Sequence, residues 1–199
     1  DDLEALHNGA ADAKLVAMLD DADPRIVFLG AKALDRNGDK YRTDKAQSEK
    51  VLSKLEGKLN EPTELALAAV AGSIDVAATG LGERMLAVSK KLTVPARVRF
   101  ISSSQFRNSD YFYPTTAAMA KSEPDAKLRE AAVRSFWVGT PHDKGQEVCE
   151  LWTSVAEDPK ADDGLASLAA GYAVWTPMSP CVKHFDRVMA RFDKRVKAG

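Results

Sequence analysis

The feature that most constrains this chain is a recurring pattern of helix starts. Proline or aspartate signals stand just ahead of apolar and small residues at helical spacing near Pro24, Pro62, Pro95, Pro124-Asp125 and Asp162-Asp163. Proline suits the first turn of a helix because its missing N–H is one the helix could not have satisfied, and aspartate can take up the exposed amides there. With Ile26, Leu65, Val98, Leu128 and Leu165 as equivalent anchors, the copies are 39, 33, 30 and 37 residues apart. Those steps fall in the range of two-helix repeats. Four residues after each anchor stands Gly30, Ala69, Ser102, Ala132 or Ala169. A small residue at a fixed helical position is what close stacking of helices requires.

Partner helices fill the intervals. Leu15, Val16 and Leu19 begin the set, followed by Val51, Leu52, Leu55 and Leu59, then Met85, Leu86 and Leu92. A short fourth partner spans Thr115 to Ala120, and the fifth carries Val148, Leu151, Trp152 and Val155. A last helix over 181–197 presents Val182, Phe185, Val188, Met189 and Phe192 on one face, as a terminal cap would. The only β-branched cluster, Val94 to Ile101, contains Pro95, which argues against a central strand. The expectation is an all-α, single helical-repeat domain over 1–199. Its hairpins cover roughly 11–37, 43–78, 80–108, 113–139 and 143–176.

The pattern resembles the HEAT repeat family, in which an Asp/Pro turn precedes a Val-Arg pair, small residues and a closing Ala-Leu. Asp23-Pro24, Ile26-Val27 and Ala33-Leu34 follow it with Val27 in place of the Arg, and Val98-Arg99 and Leu128-Arg129 supply the pair. Ala66 and Ala166 stand where the Arg would be in the second and fifth copies. The resemblance runs over about residues 11 to 175. It implies a right-handed α-α superhelix of about five stacked hairpins with the second helices lining a concave face, a surface that usually holds other proteins. The spaced Trp, Leu-Gly and Tyr signature of tetratricopeptide repeats is missing.

Composition sets the outer bounds. A chain of 199 residues with 45% hydrophobic and 29% charged residues is a folded globular protein with ample core, and no apolar run approaches a membrane span. Twenty-eight basic side chains against 29 acidic ones give no global field toward nucleic acid. Residues 1–25 carry seven acids and two bases, whereas 183–199 carry six bases and two acids. Opposite ends of that kind allow head-to-tail self-association, although favourable helix-end charge explains them more cheaply. The chain opens at Asp1-Asp2 without a Met or a leader, so the compartment, cytoplasmic or periplasmic, stays open.

Chemistry is sparse. Cys149 and Cys181 are the only cysteines, fitting either two buried thiols in a reducing space, the reading placed first, or one disulfide in an oxidising one. A Cys149/His142 dyad needs a helix starting ahead of Pro141 and Gly145. Three scattered histidines and two cysteines make no zinc spacing. Asp35 to Asp39 lacks the Glu of a calcium loop, and Gly80-Leu81-Gly82 lacks the strand and Lys of a phosphate cradle. No catalytic residue, cofactor, metal or small-molecule substrate is therefore expected. DNA binding or glycosylase chemistry on a helical-repeat surface is disfavoured, because Glu123, Asp125 and Glu130 offset Arg97, Arg99, Lys127, Arg129 and Arg134.

The expected function is a non-enzymatic scaffold that binds a protein or peptide on its concave face. Arg99, Arg129, Arg134, Trp137 and Trp175 are the candidate contacts, with Tyr111 and Tyr113 of the aromatic stretch 108–114 as a flank. Tyrosine, tryptophan and arginine are the side chains that most often anchor such interfaces. The alternative is a structural module of a larger or exported polypeptide with no ligand in its groove.

Overall fold

A computed structural model describes residues 9–36, 43–103, 106, 109–138, 144–174, 181 and 186–190. Among them every extended regular element is a helix, and none is long and apolar enough to cross a membrane. Two compact units divide the chain, residues 1–112 and 113–199.

In the first unit α1 (Gly9–Ala17) continues into a 3-10 turn (Met18–Asp20) and pairs with α2 (Pro24–Arg36). Next come α3 (Lys45–Leu55) and α4 (Glu61–Gly72), the single turn α5 (Val76–Thr79), then α6 (Gly82–Ser89) and α7 (Val94–Ile101). Helix α4 packs against α2 on one side and α7 on the other, while α3 lies between α1 and α6. In the second unit α8 (Tyr113–Ser122) pairs with α9 (Ala126–Val138), and α10 (Gly145–Glu157) with α11 (Asp163–Val174). There α8 packs on α10 and α9 on α11. Residues 186–190 are also helical. Apart from Cys181, the rest of the cap helix expected over 181–197 lies outside the described residues.

The helix starts obey local chemistry, and this corrects the expected register. Thr63 N–H donates to Asn60 Oδ1 (3.0 Å), Leu128 N–H to Asp125 Oδ1 (3.0 Å) and Leu165 N–H to Asp162 Oδ1 (2.9 Å). Asp23 accepts from Arg25 N–H, and the Thr93 carbonyl from Arg97 N–H. These five cap residues are 37, 33, 32 and 37 apart, a more even series than the proline-based one. At Asn60, Asp125 and Asp162 the cap side chain reaches the amide three residues on and at Asp23 the one two residues on, while Thr93 makes no side-chain cap bond. Proline is less strict, being tolerated anywhere in the first turn. Proline is the residue after the cap in α2 but the second after it in α4 and α7. Counted from the cap, the anchors of α4 and α7 stand two places too far along, one of the two because proline comes a residue later there; Leu65 and Val98 are half-buried while Thr63 and Ala96 are buried.

The same slip removes the uniform small residue. Seven places after each cap stand Gly30, Leu67, Phe100, Ala132 and Ala169, all buried but only three of them small. Ser102, expected at a stacking position, is the exposed C-cap of α7, which ends at Ile101. Close approach of α4 and α7 is made at Ala69, as expected, and at Gly72. Ser103 Oγ donates to the Ala69 carbonyl at 3.0 Å, and a Cβ built on Gly72 would sit 2.2 Å from the Phe100 carbonyl oxygen. Alanine normally gains about 1 kcal/mol over glycine inside a helix. Here the obstacle is backbone that must move, so Gly72→Ala is expected to cost about 2 kcal/mol net. A urea midpoint equal to or above wild type would remove this contact from the account.

Beyond α7 the first unit is closed by rings. Phe106 stacks on Phe112 (centroids 4.2 Å) and meets Phe100 edge-on (5.2 Å). All three are buried, and such pairs add about 0.5–1.5 kcal/mol each beyond their area. Gly80, at φ 69°, ends α5 with its N–H on the Val76 carbonyl, a left-handed cap that glycine takes without strain.

The second unit is held by a buried arginine and a disulfide. Arg129 is 8% exposed; its Nε donates to the Ala120 carbonyl (3.0 Å), and its Nη2 to the Lys121 carbonyl (2.8 Å) and Asp158 Oδ2 (2.6 Å). It thus closes the C-terminus of α8 and ties it to the residue that caps α10. Cys149 on α10 and Cys181 are both buried and form a disulfide with Cα atoms 5.0 Å apart. The thiol reading is thereby replaced, and with it the Cys149/His142 dyad, whose histidine lies outside the described residues. A bonded sulfur offers no thiolate.

Candidate partner-binding site

The expected contacts separate by unit and by role. Arg99 of α7 is exposed and spends its Nη2 on both oxygens of Asp35 on α2, at 3.3 and 3.1 Å. The two helices flank α4, whose small residues let this ion pair pass over it. Tyr111 is exposed but lies against Gly82, where a Cβ would come within 2.4 Å of its ring, and meets Phe112 edge-on. Tyr113 starts α8, in the other unit. The 108–114 stretch is therefore divided, with Phe112 plugging one core. Arg129 is committed to the contacts that hold α8 and α10 and presents no free guanidinium to a partner. Trp175 lies outside the described residues.

Arg134 and Trp137 come together. Both project from α9, three residues apart, as neighbours on one helix face. Trp137 is 41% exposed and stacks on Tyr172 of α11, centroids 4.8 Å apart and planes at 17°. Behind them Trp152 of α10 is buried, tilted against Trp137 at 6.4 Å and against Tyr172 at 5.4 Å. Its Nε1–H is satisfied by the Val133 carbonyl at 3.3 Å. Ala169 and Ala173, both buried, leave the room on α11 that this ring layer needs. Arg134 donates from Nε to Glu130 Oε1 at 2.7 Å, one turn back on α9. That hydrogen bond, aided by the nearby Tyr172 hydroxyl, raises the guanidinium pKa above its usual value. The result is an aromatic ledge with a charged border on the second helices of this unit.

A second concavity lies between α8 and α10. It encloses about 750 Å³ and is lined by Tyr113, Ala117 and Lys121 on one wall, Glu147, Glu150, Leu151 and Ser154 on the other, and Arg187 at its end. The Tyr113 hydroxyl donates to Glu147 Oε2 at 3.2 Å, and Lys144 Nζ to Glu147 Oε1 at 3.0 Å. The ammonium first, and the hydroxyl with it, holds the Glu147 carboxyl below the usual carboxylate range. Lys144 and Glu147 were not singled out from the sequence, although their i, i+3 spacing of opposite charge was the available signal. Among the described residues no group of three or more His, Cys, Asp or Glu could hold a metal ion.

No known family model matches the chain, and neither a curated protein nor a solved structure does.

Proposed function

We propose that the chain is a non-enzymatic HEAT-like scaffold, a right-handed α-α superhelix of about five hairpins with a C-terminal capping helix, and that it binds a protein or peptide on its second-helix face. The pairing of second helix with second helix and first with first inside each unit supports this reading, as does the even spacing of the caps. The observation that carries it is the exposed ring of Trp137, held rigid by Tyr172 and backed by Trp152. A large aromatic surface already fixed in place loses little entropy on binding, and Arg134 beside it adds a polar anchor. In the first unit the corresponding row is spanned by the Arg99–Asp35 pair, so the contact region is assigned to α9 and α11.

Selection of a displayed peptide library on the oxidised protein tests the proposal. Enriched peptides are expected to lose at least tenfold in affinity on Trp137→Ala and severalfold on Arg134→Glu, with no change on Arg99→Glu. Failure to enrich any peptide, or enrichment indifferent to Trp137, would reject the ledge as the contact. The second reading, a structural module of an exported polypeptide, is favoured by the Cys149–Cys181 disulfide, a bond typical of oxidising compartments.

A further inference from the structure

The groove between α8 and α10 has an ordered polarity that the ledge reading does not use. Its two walls run in the same direction. Tyr113 at the start of α8 bonds Glu147 near the start of α10, and Arg129 ties the end of α8 to Asp158 at the end of α10. Glu147 therefore marks one end, with Glu150 nearly a turn further along α10, and Lys121 and Arg187 mark the other. Lys144 accompanies Glu147 at the acidic end, where Gln146 also donates to Glu150, and Glu157 pairs with Arg187 at the basic end. Lys121 has no ion pair among the described residues. Among the described residues the lining between the ends is Ala117, Leu151 and Ser154, short or apolar groups that leave a floor for a main chain.

Helix-end preference alone would place an acid in the first turn of α10 and a base in the last turn of α8. It does not account for Glu150 on the groove wall, nor for Arg187. That side chain belongs to a different segment, brought to the basic end by the Cys181 linkage and by Glu157, whose Oε2 accepts from Arg187 Nη2 at 2.7 Å. From Tyr113 to Lys121 the wall rises about 12 Å at 1.5 Å per residue. An extended chain covers that length in about four residues. The volume also falls within the about 300–1,000 Å³ usual for ligand clefts.

We propose that this groove binds a short extended peptide segment of both charges, with a basic side chain at Glu147 and Glu150 and a carboxylate, from a side chain or a chain terminus, at Lys121 and Arg187. The site uses α8 and α10, so it stands or falls separately from the Trp137 ledge on α9 and α11.

The test uses the full oxidised chain labelled with 15N and four capped pentapeptides. Two carry lysine and glutamate at opposite ends in either order, with alanine and serine between; the others carry lysine at both ends or glutamate at both ends. One bipolar order is expected to shift the amide resonances of Ala117, Lys121, Leu151 and Ser154 and to bind at least fivefold more tightly than either single-sign peptide. Lys121→Glu and Glu150→Lys are each expected to weaken it about tenfold, and the double variant to prefer the opposite order. Both side chains are exposed, and Lys121→Gln and Glu150→Gln carry the same comparison if a reversal perturbs folding. No shift with any peptide, equal binding of a single-sign peptide, or an order preference unmoved by the double variant would each overturn the proposal.

Discussion

Arg129→Met is expected to destabilise the second unit by about 3 kcal/mol, the scale of removing one partner from a buried, hydrogen-bonded charge. Methionine keeps much of the aliphatic volume, so the loss reports the guanidinium. Without it the Ala120 and Lys121 carbonyls lose their donor, and Asp158 loses the cation bonded to it. Arg134→Met, which breaks an exposed pair with Glu130, should change stability by no more than about 0.5 kcal/mol and serves as the control. The difference between Arg129→Met and wild type should also depend on pH. The Arg129 hydrogen bond, supported by Lys160 N–H, lowers the Asp158 pKa below the ordinary 3.8. A lowered carboxyl contributes stability in full above the unfolded pKa and loses it as pH falls through the folded one. The gap between the two proteins should therefore begin to narrow below about pH 4 by the Asp158 share, while the part due to the two carbonyls remains. Equal urea midpoints at pH 7 would show that Arg129 does not hold the two helix ends.

Breaking the Cys149–Cys181 bond is the other large effect. Its partners are 32 residues apart, and the chain-entropy relation for a loop of that size gives about 4 kcal/mol. Reduction under native conditions, or a Cys149→Ala, Cys181→Ala double variant, is expected to lower the melting temperature by about 10 °C. Amide protection should fall in α10 and in residues 186–190, which the bond and the Arg187–Glu157 pair hold together. Melting curves that superimpose with and without reductant, while thiol titration finds two free sulfhydryls, would contradict the assignment.

These two predictions also mark where sequence reasoning stopped. The helical class and the positions of the helix pairs were legible because caps and apolar spacing are local properties. Register was only partly legible, since Pro62 and Pro95 occupy the second helical position while Pro24 occupies the first. Asn60 and Thr93, read as caps, would have corrected it. Arg129 looked like a surface contact because it stands in a Val-Arg-like pair. Its burial follows from Leu128, Val133 and Ala132 around it, and from an acid 29 positions away that no local pattern connects to it. The state of the two cysteines was open for the same reason: a separation of 32 residues fits a bridge or two thiols equally well, and proximity is a tertiary fact. That Arg134 and Trp137 share a helix face is readable from their spacing. Their support by Tyr172 and Trp152 depends on which helices are neighbours.

All three tryptophans of the chain fall within residues 113–199, with Trp152 enclosed and Trp137 at the surface. Intrinsic emission excited at the red edge of the absorption band is thus a native optical gauge of that half alone. Trp152 is expected to give it a blue, shielded component and Trp137 a red one open to aqueous quenchers. A ligand settling on the ledge should blue-shift the red component and protect it from iodide, whereas occupation of the α8–α10 groove should leave both unchanged.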